Sequence, residues 1–282
     1  MIKIIECPRD AMQGIKPFIP TDKKAHYINQ LLKVGFDTID FGSFVSPKAI
    51  PQMKDTAEVL SQLDLDNTSS KLLAIVANLR GGKSAAEHEE INYLGYPFSI
   101  SETFQLRNTN ATIEESIDRV KAIQEICIRT NKQMVVYISM GFGNPYGDPW
   151  NVEIAQKWVD VLYDLGIKIF QLSDTIGVAN PANISYLFSN LIPNYPDVEF
   201  GAHFHTTPTT WREKIISAFE SGCKRFDGAI MGYGGCPMAK DKLTGNMPTE
   251  HLVSYFQELD QENGVDIAKF GSAMDVASTV FH

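Results

Sequence analysis

The chain has 282 residues, 44% of them apolar and 21% charged, with 25 basic against 34 acidic side chains and a formal net charge of −9. That composition buries a real core and lacks the polar bias of a disordered chain. The acidic balance argues against a surface built for nucleic acid or an anionic membrane, because both would be repelled over most of the protein. Small molecules are the expected partners.

The start, "MIKIIECPRD", reads as a short apolar strand, Lys3 to Glu6, with no basic region leading into a long apolar segment. No run of 18 apolar residues follows anywhere, so no membrane span and a cytoplasmic location are expected. Arg9 and Asp10 close the first strand. A helical pattern from Asp22 to Val34 ends at Gly35, where a left-handed cap is expected. The second strand, Thr38 to Phe41, runs into "DFGSFVSPK", and the third, Leu72 to Ala77, into "NLRGG". The fourth, Phe98 to Ser101, meets "SETF" and a helix from Ile113 to Lys132. The fifth, Met134 to Ser139, is followed by "GFGNPYGD" and a helix from Val152 to Leu165 before Gly166. The sixth, Lys168 to Leu172, ends at "SDTIG", with a helix from Ile184 to Leu191. The seventh, Val198 to Ala202, ends at "HFH", with a helix from Thr210 to Ser221 before Gly222. The eighth, Arg225 to Ala229, opens into "GYGGCP". Whether Lys269 to His282 finishes the last helix or caps the far end of the fold is open.

Eight repeats of strand then helix, with no long linker, predict a single (β/α)₈ TIM barrel domain over residues 1–282, its active site at the C-terminal ends of the strands. The polar clusters all fall just after strands, as that architecture demands. Cys7, Cys127, Cys223 and Cys236 are too far apart for a CxxC motif and too few for a disulfide framework, so reduced thiols are expected.

His203 and His205 are two apart on a strand, a spacing that points both imidazoles to one side and suits two ligands on one cation. Asp10 and Asn246 hold matching positions after strands one and eight, neighbours in a closed barrel. Two imidazoles, a carboxylate and an amide oxygen, completed by water or substrate, suit octahedral Mg²⁺ or Mn²⁺ better than a closed tetrahedral zinc site. Arg9 reads either as an ion pair closing the first strand or as a fixed guanidinium for an enolate or carboxylate oxygen. Asp40, Glu102 and Asp174 are further acids at strand ends, each a possible base or partner of a histidine. Cys236, flanked by Gly234, Gly235 and Pro237, sits in a stretch unsuited to core filling. It reads as a proton-transfer group on a loop able to close over substrate, or as a nucleophile.

"CPRDAMQG", "SFVSPKAIPQMKD", "SETF" with "NATIEES", "SDTIGVANP", "HFH" and "GYGGCP" with the following "GN" and "TEHLV" resemble, in order, the 3-hydroxy-3-methylglutaryl-CoA lyase family. The resemblance implies a divalent-metal enzyme that splits this acyl-CoA thioester, or a related 3-hydroxyacyl-CoA, into acetyl-CoA and acetoacetate. It implies metal ligands Asp10, His203, His205 and Asn246, an enolate held by Arg9, and proton transfer by Cys236 and His203. It places Asp40 and Asp174 at family acid positions and implies a homodimer. The chain departs from the family pattern at Thr206, where an acidic residue is usual, at Asp40, one methylene shorter than the usual glutamate, and at Asn144, where cysteine is common. The competing readings are a condensing synthase of the isopropylmalate or homocitrate type and a catalytically silent barrel that binds metal or acyl-CoA.

Overall fold

The structure is a computed structural model and describes residues 1–235 and 244–281. Eight strands, β1 (Lys3–Glu6), β2 (Thr38–Ser43), β3 (Lys71–Ile75), β4 (Ile91–Ser99), β5 (Gln133–Ser139), β6 (Ile169–Asp174), β7 (Glu199–Thr206) and β8 (Arg225–Gly228), lie side by side in parallel. β1 pairs with β8 and β6 pairs with β7, which closes the barrel. The expected (β/α)₈ architecture is the one observed. Strands of a barrel are covered on both faces, and β2 and β6 are accordingly buried at every position.

The first helices are α1 (Pro8–Gln13), α2 (Thr21–Leu31), α3 (Thr56–Leu60), α4 (Leu79–Ala86), α5 (Glu102–Thr109) and α6 (Ile113–Arg129). They are followed by α7 (Val152–Asp164), α8 (Pro181–Asn194), α9 (Trp211–Glu220), α10 (Thr249–Glu258) and α11 (Ile267–Phe281). Thr112 opens α6 with a reciprocal capping box to Glu115, and Asn151 and Asn180 cap α7 and α8 with their side-chain oxygens. Gly35, Gly166 and Gly222 take the left-handed conformations expected of them, with φ of 94°, 86° and 99°. α11 is a separate helix laid beside α2. Phe281 meets Tyr27 edge-on at 5.8 Å and Phe270 meets Phe36 at 6.0 Å, which settles the open question of the C-terminal segment.

Two strands differ from expectation in a way that has a physical cause. β4 begins at Ile91 rather than Phe98 because its first residues pair with β3 on one side and β5 on the other, and Gly95 among them is a close-packing position. A Cβ there would lie 2.6 Å from Ile75 Cδ1 and 3.0 Å from Leu73 Cδ2. β7 runs on through the histidines to Thr206, because its upper half gains a new partner. It pairs with β8 only at Gly201 and Ala202, then takes the short antiparallel strand β9 (Gly245–Asn246), with His205 opposite Asn246.

The period of two sorts each strand into an outer face against the helices and an inner face in the barrel. Phe170, Leu172, Ala202 and Phe204 join the apolar layer under the helices. Inside, Leu73, Ile75, Tyr93, Val135, Tyr137 and Ile169 form a separate apolar cluster. The facing side of the interior is polar: Arg225 pairs with Glu199 at 2.9 Å, and Gln171 donates to Asp227. The barrel is thus apolar on one wall and hydrogen-bonded on the other, below the site.

Candidate active site

Asp10 lies in α1, which follows β1 directly. Pro8 at its first turn supplies a preset φ where no backbone N–H is needed. His203 and His205 project inward from β7, and β9 brings Asn246 opposite His205. One donor atom each from Asp10, His203 and His205 falls within a 4.8 Å span. These residues form part of the lining of a cavity of about 510 Å³ that opens at the C-terminal ends of the strands, together with Arg9, Gln13, Tyr137, Ser173 and Thr175.

The hydrogen bonds decide which atoms remain available. His205 Nδ1 donates to the Thr175 carbonyl at 2.7 Å, so neutral His205 carries its lone pair at Nε2, which is buried without a partner. Asn246 Nδ2 donates to the Tyr233 carbonyl at 2.8 Å, leaving Oδ1, like His205 Nε2, buried and unpartnered among the described residues. Orphaned buried acceptors carry a desolvation cost that a cation would relieve. His203 Nδ1 faces Asp227 Oδ2 at 2.9 Å, which leaves Nε2 with one lone pair to offer, to a cation or to a proton, one at a time. The residues present therefore fit a hard divalent ion with mixed oxygen and nitrogen donors.

A second grouping of donors, Cys7, His203 and Asp227, fits less well. Burial pushes the Cys7 thiol well above its ordinary range, and Asp227, Asp40, Asp10 and Glu6 push it further, so no thiolate is on hand. Asp227 is already committed to Gln171 and His203.

Charge balance in the site centres on Arg9. Its Nε lies 3.1 and 3.2 Å from the two Asp40 oxygens, its Nη2 2.5 Å from Asp40 Oδ2, and its Nη1 3.0 Å from Asp10 Oδ1 and 3.1 Å from Gln13 Oε1. Burial works against the guanidinium, but the two carboxylates outweigh it and Arg9 stays charged. Burial pushes the Asp40 carboxyl up to about 6, with Arg9 opposing the rise. For Asp10, burial again opposes ionisation, yet Arg9, then His203 and His205, hold it below the usual carboxylate range. Burial pulls His203 down, but the hydrogen bond and charge of Asp227 together with the charge of Asp10 outweigh it and the net direction is up, whereas His205 is lowered by burial and then by His203.

Arg9, Asp10, His203, His205 and Asn246 are thus brought together, and Asp40 stands behind Arg9. Asp174 is not at the cavity. It shares the outward face of β6 with Phe170 and Leu172, and it binds Lys214 at 2.6 Å and the Ala179 amide at 3.0 Å. Lys214 in turn donates to the His205 carbonyl at 2.8 Å, so Asp174 braces β7 from outside. The Glu102 carboxylate accepts the Ile113 amide at 3.1 Å, a link between α5 and α6. Cys236 lies outside the described residues. Sequence reasoning missed Asp227, whose inward parity on β8 was a usable signal. It also missed the Thr175 carbonyl, for which no side chain gives a sign.

Comparison with known proteins agrees with this geometry. The family model described as HMGL-like matches residues 2–277. Hydroxymethylglutaryl-CoA lyase YngG of Bacillus subtilis is 34% identical, over 94% of this chain and 88% of its own. The cytoplasmic 3-hydroxy-3-methylglutaryl-CoA lyase of Rattus norvegicus is 32% identical, over 97% of this chain and 79% of its own. The solved structure of an HMG-CoA lyase from Acinetobacter baumannii, in complex with coenzyme A and 3-methylmalate, superposes with a TM-score of 0.91 at 31% identity. It covers 100% of this chain and 91% of that one. A closed barrel with an acid, two histidines and an amide gathered at its mouth, matched by sequence over nearly its whole length, places this chain in the HMGL-like family.

Proposed function

We propose that this chain is a carbon–carbon lyase that cleaves 3-hydroxy-3-methylglutaryl-CoA to acetyl-CoA and acetoacetate. The observation that carries the reading is the convergence of Asp10, His203 and His205 on one cavity beside a fixed arginine, with Asn246, whose Oδ1 is buried and unpartnered among the described residues, paired opposite His205.

Asp10, His205 and Asn246 would hold a divalent cation, Mg²⁺ or Mn²⁺ by the hardness of the donors, with His203 Nε2 a fourth ligand only while it carries no proton, and such an ion would supply Lewis-acid polarisation of the substrate's hydroxyl and carboxylate oxygens. The chain's own groups account for the rest. His203 Nε2 takes up the C3 hydroxyl proton, and Asp227 at Nδ1 stabilises the imidazolium formed. As the C2–C3 bond breaks, its electron pair moves onto the thioester, C3 becomes the ketone of acetoacetate, and the enolate oxygen meets Arg9. Arg9 needs no reorganisation for this, since Asp40 already fixes it. A proton delivered to C2, which we assign to the Cys236 thiol, yields acetyl-CoA. Asp174 keeps a positioning role through Lys214. The whole chain acts as one barrel domain in this reading. A homodimer in the cytoplasm is inferred with it, and light scattering and cell fractionation test those two points. No helix among the described residues is long and apolar enough to cross a membrane. The relatives are lyases by name, which disfavours the condensing-synthase reading.

Purified protein supplied with Mg²⁺ or Mn²⁺ should release acetoacetate from the thioester and stop with EDTA. Arg9→Lys, which cannot reproduce the guanidinium fork, should cost about 10²–10³ in kcat, the range for loss of one oxyanion donor. Cys236→Ala should lose most activity. Absence of acetoacetate, with turnover of a 2-oxo acid plus acetyl-CoA, would point to the synthase. Binding without turnover would point to the silent barrel.

A further inference from the structure

We propose that Gln171 is a positioning residue for His203, acting through Asp227 across the missing side chain of Gly201. The proposal rests on the metal reading above for its consequence, and on local geometry for its cause.

Gln171 belongs to β6 and Asp227 to β8, with β7 between them. Gln171 and Gly201 are register partners, and Gly201 is in turn the partner of Arg225. Any side chain at position 201 would obstruct the crossing: a Cβ there would overlap Gln171 Oε1 and come within 2.6 Å of its Cδ. With glycine in place, the Gln171 amide reaches over β7 and Nε2 donates to Asp227 Oδ1. The other oxygen, Oδ2, meets His203 Nδ1 at 2.9 Å.

A carboxylate turns freely about its Cβ–Cγ bond unless one oxygen is held. Anchoring Oδ1 aims Oδ2 at the imidazole, which fixes the His203 tautomer and sends the Nε2 lone pair into the cavity. Ring packing alone does not do this. Tyr137 lies edge-on to His203 at 5.7 Å and His205 at 5.4 Å, contacts that restrain the ring plane but do not choose which nitrogen carries the proton. Solvent does not supply the restraint either, since Gln171 is 0% and Asp227 3% exposed. Gln171 Oε1, moreover, is buried with no partner. A small apolar residue would avoid that cost, and what the amide gains in exchange is its bond to Asp227.

The test compares wild type with Gln171→Ser, Gln171→Met, Gly201→Ala and the double variant Gly201→Ala/Gln171→Ser. Two readouts are used: calorimetric titration with Mn²⁺, and ¹⁵N NMR of the histidine side chains in metal-free protein. Both Gln171 variants should bind Mn²⁺ about tenfold more weakly, the lower end of what outer partners of metal-ligating histidines cost. Both should also lose the hydrogen-bonded His203 Nδ1–H signal. Gly201→Ala should reproduce both effects by displacing the amide. The double variant should be no worse than Gln171→Ser, because the nearest of the remaining neighbours would then be Arg225 Cδ, at 3.0 Å, on a side chain able to shift. Unchanged Mn²⁺ affinity and an unchanged His203 signal in the Gln171 variants would overturn the proposal, as would additive losses in the double variant. Wild-type protein that binds no Mn²⁺ would sink the metal reading instead. The NMR comparison, which needs no metal, would still decide whether Gln171 holds Asp227 against His203.

Discussion

Arg107 lines the rim of the cavity from α5, exposed, its guanidinium carbon 4.6 Å from the centre of the Tyr146 ring. Arg9, deeper in, already faces Asp40 and Asp10. Among the described residues lining the cavity, an acyl-CoA bearing a carboxylate and phosphates therefore finds an accessible cation at Arg107. Arg107→Ala should raise KM about tenfold with little change in kcat, the signature of lost uniform binding to a charged partner. Equal losses in kcat and kcat/KM would place Arg107 at the reacting atoms instead. The acids illustrate how far residue-level reading goes. Asp10, Asp40 and Asp174 all stand at strand ends in the sequence, yet parity sends Asp174 outward to Lys214 while Asp40 turns inward behind Arg9. Period two was available from the sequence. Which parity faces the axis depended on where each strand begins, and β6 begins at Ile169.

At the scale of elements, the helix ends are the most local part of the fold. In α6 the Glu115 amide donates to Thr112 Oγ1 at 3.0 Å and the Glu115 carboxylate accepts the Thr112 amide at 2.9 Å. Thr112→Ala should cost about 1 kcal/mol, and therefore lower Tm by about 2 °C in a domain of this size, with activity unaltered. A differential scanning trace superimposable on wild type would show that the cap contributes nothing. Such signals are legible because they involve residues three apart. The extent of β7 was not legible, because its upper half is held by β9, about 40 residues further along the chain. The early start of β4 was not legible for a related reason: its first residues are held by pairing to β3 and β5, where Gly95 makes room for Ile75 and Leu73.

Across the whole molecule, Glu6 ties the first strand to the last part of the barrel. Its carboxyl accepts the Ile230 amide at 2.9 Å and meets the Thr249 hydroxyl at 2.5 Å, with no solvent exposure. Burial raises its pKa from 4.5 to about 8, against the pull of Thr249 and Ile230. The folded protein thus keeps a proton that the unfolded chain releases. Its contribution to stability is complete below pH 4.5 and falls as pH rises through about 8. Glu6→Gln presents an amide that donates to the Thr249 oxygen while its own oxygen accepts the Ile230 amide. It should flatten the fall in Tm between about pH 5 and pH 8 and raise Tm at the alkaline end. A variant whose Tm declines as steeply as wild type would show that Glu6 titrates near its ordinary value.

By itself the amino-acid sequence determined the alternation of eight strands and helices, the helix caps, and the residue types able to hold a hard cation. All of these follow from short-range periodicity and from the chemistry of single side chains. Only the closed barrel decided which donors meet. Asn246 reaches His205 because β7 exchanges β8 for β9, Asp10 reaches both histidines because only β8 separates β1 from β7 and pairs with β7 no higher than Ala202, and Gln171 reaches Asp227 because Gly201 leaves the way clear. These contacts join residues far apart in the chain through register and ring closure, and register is a property of paired strands that no single segment carries.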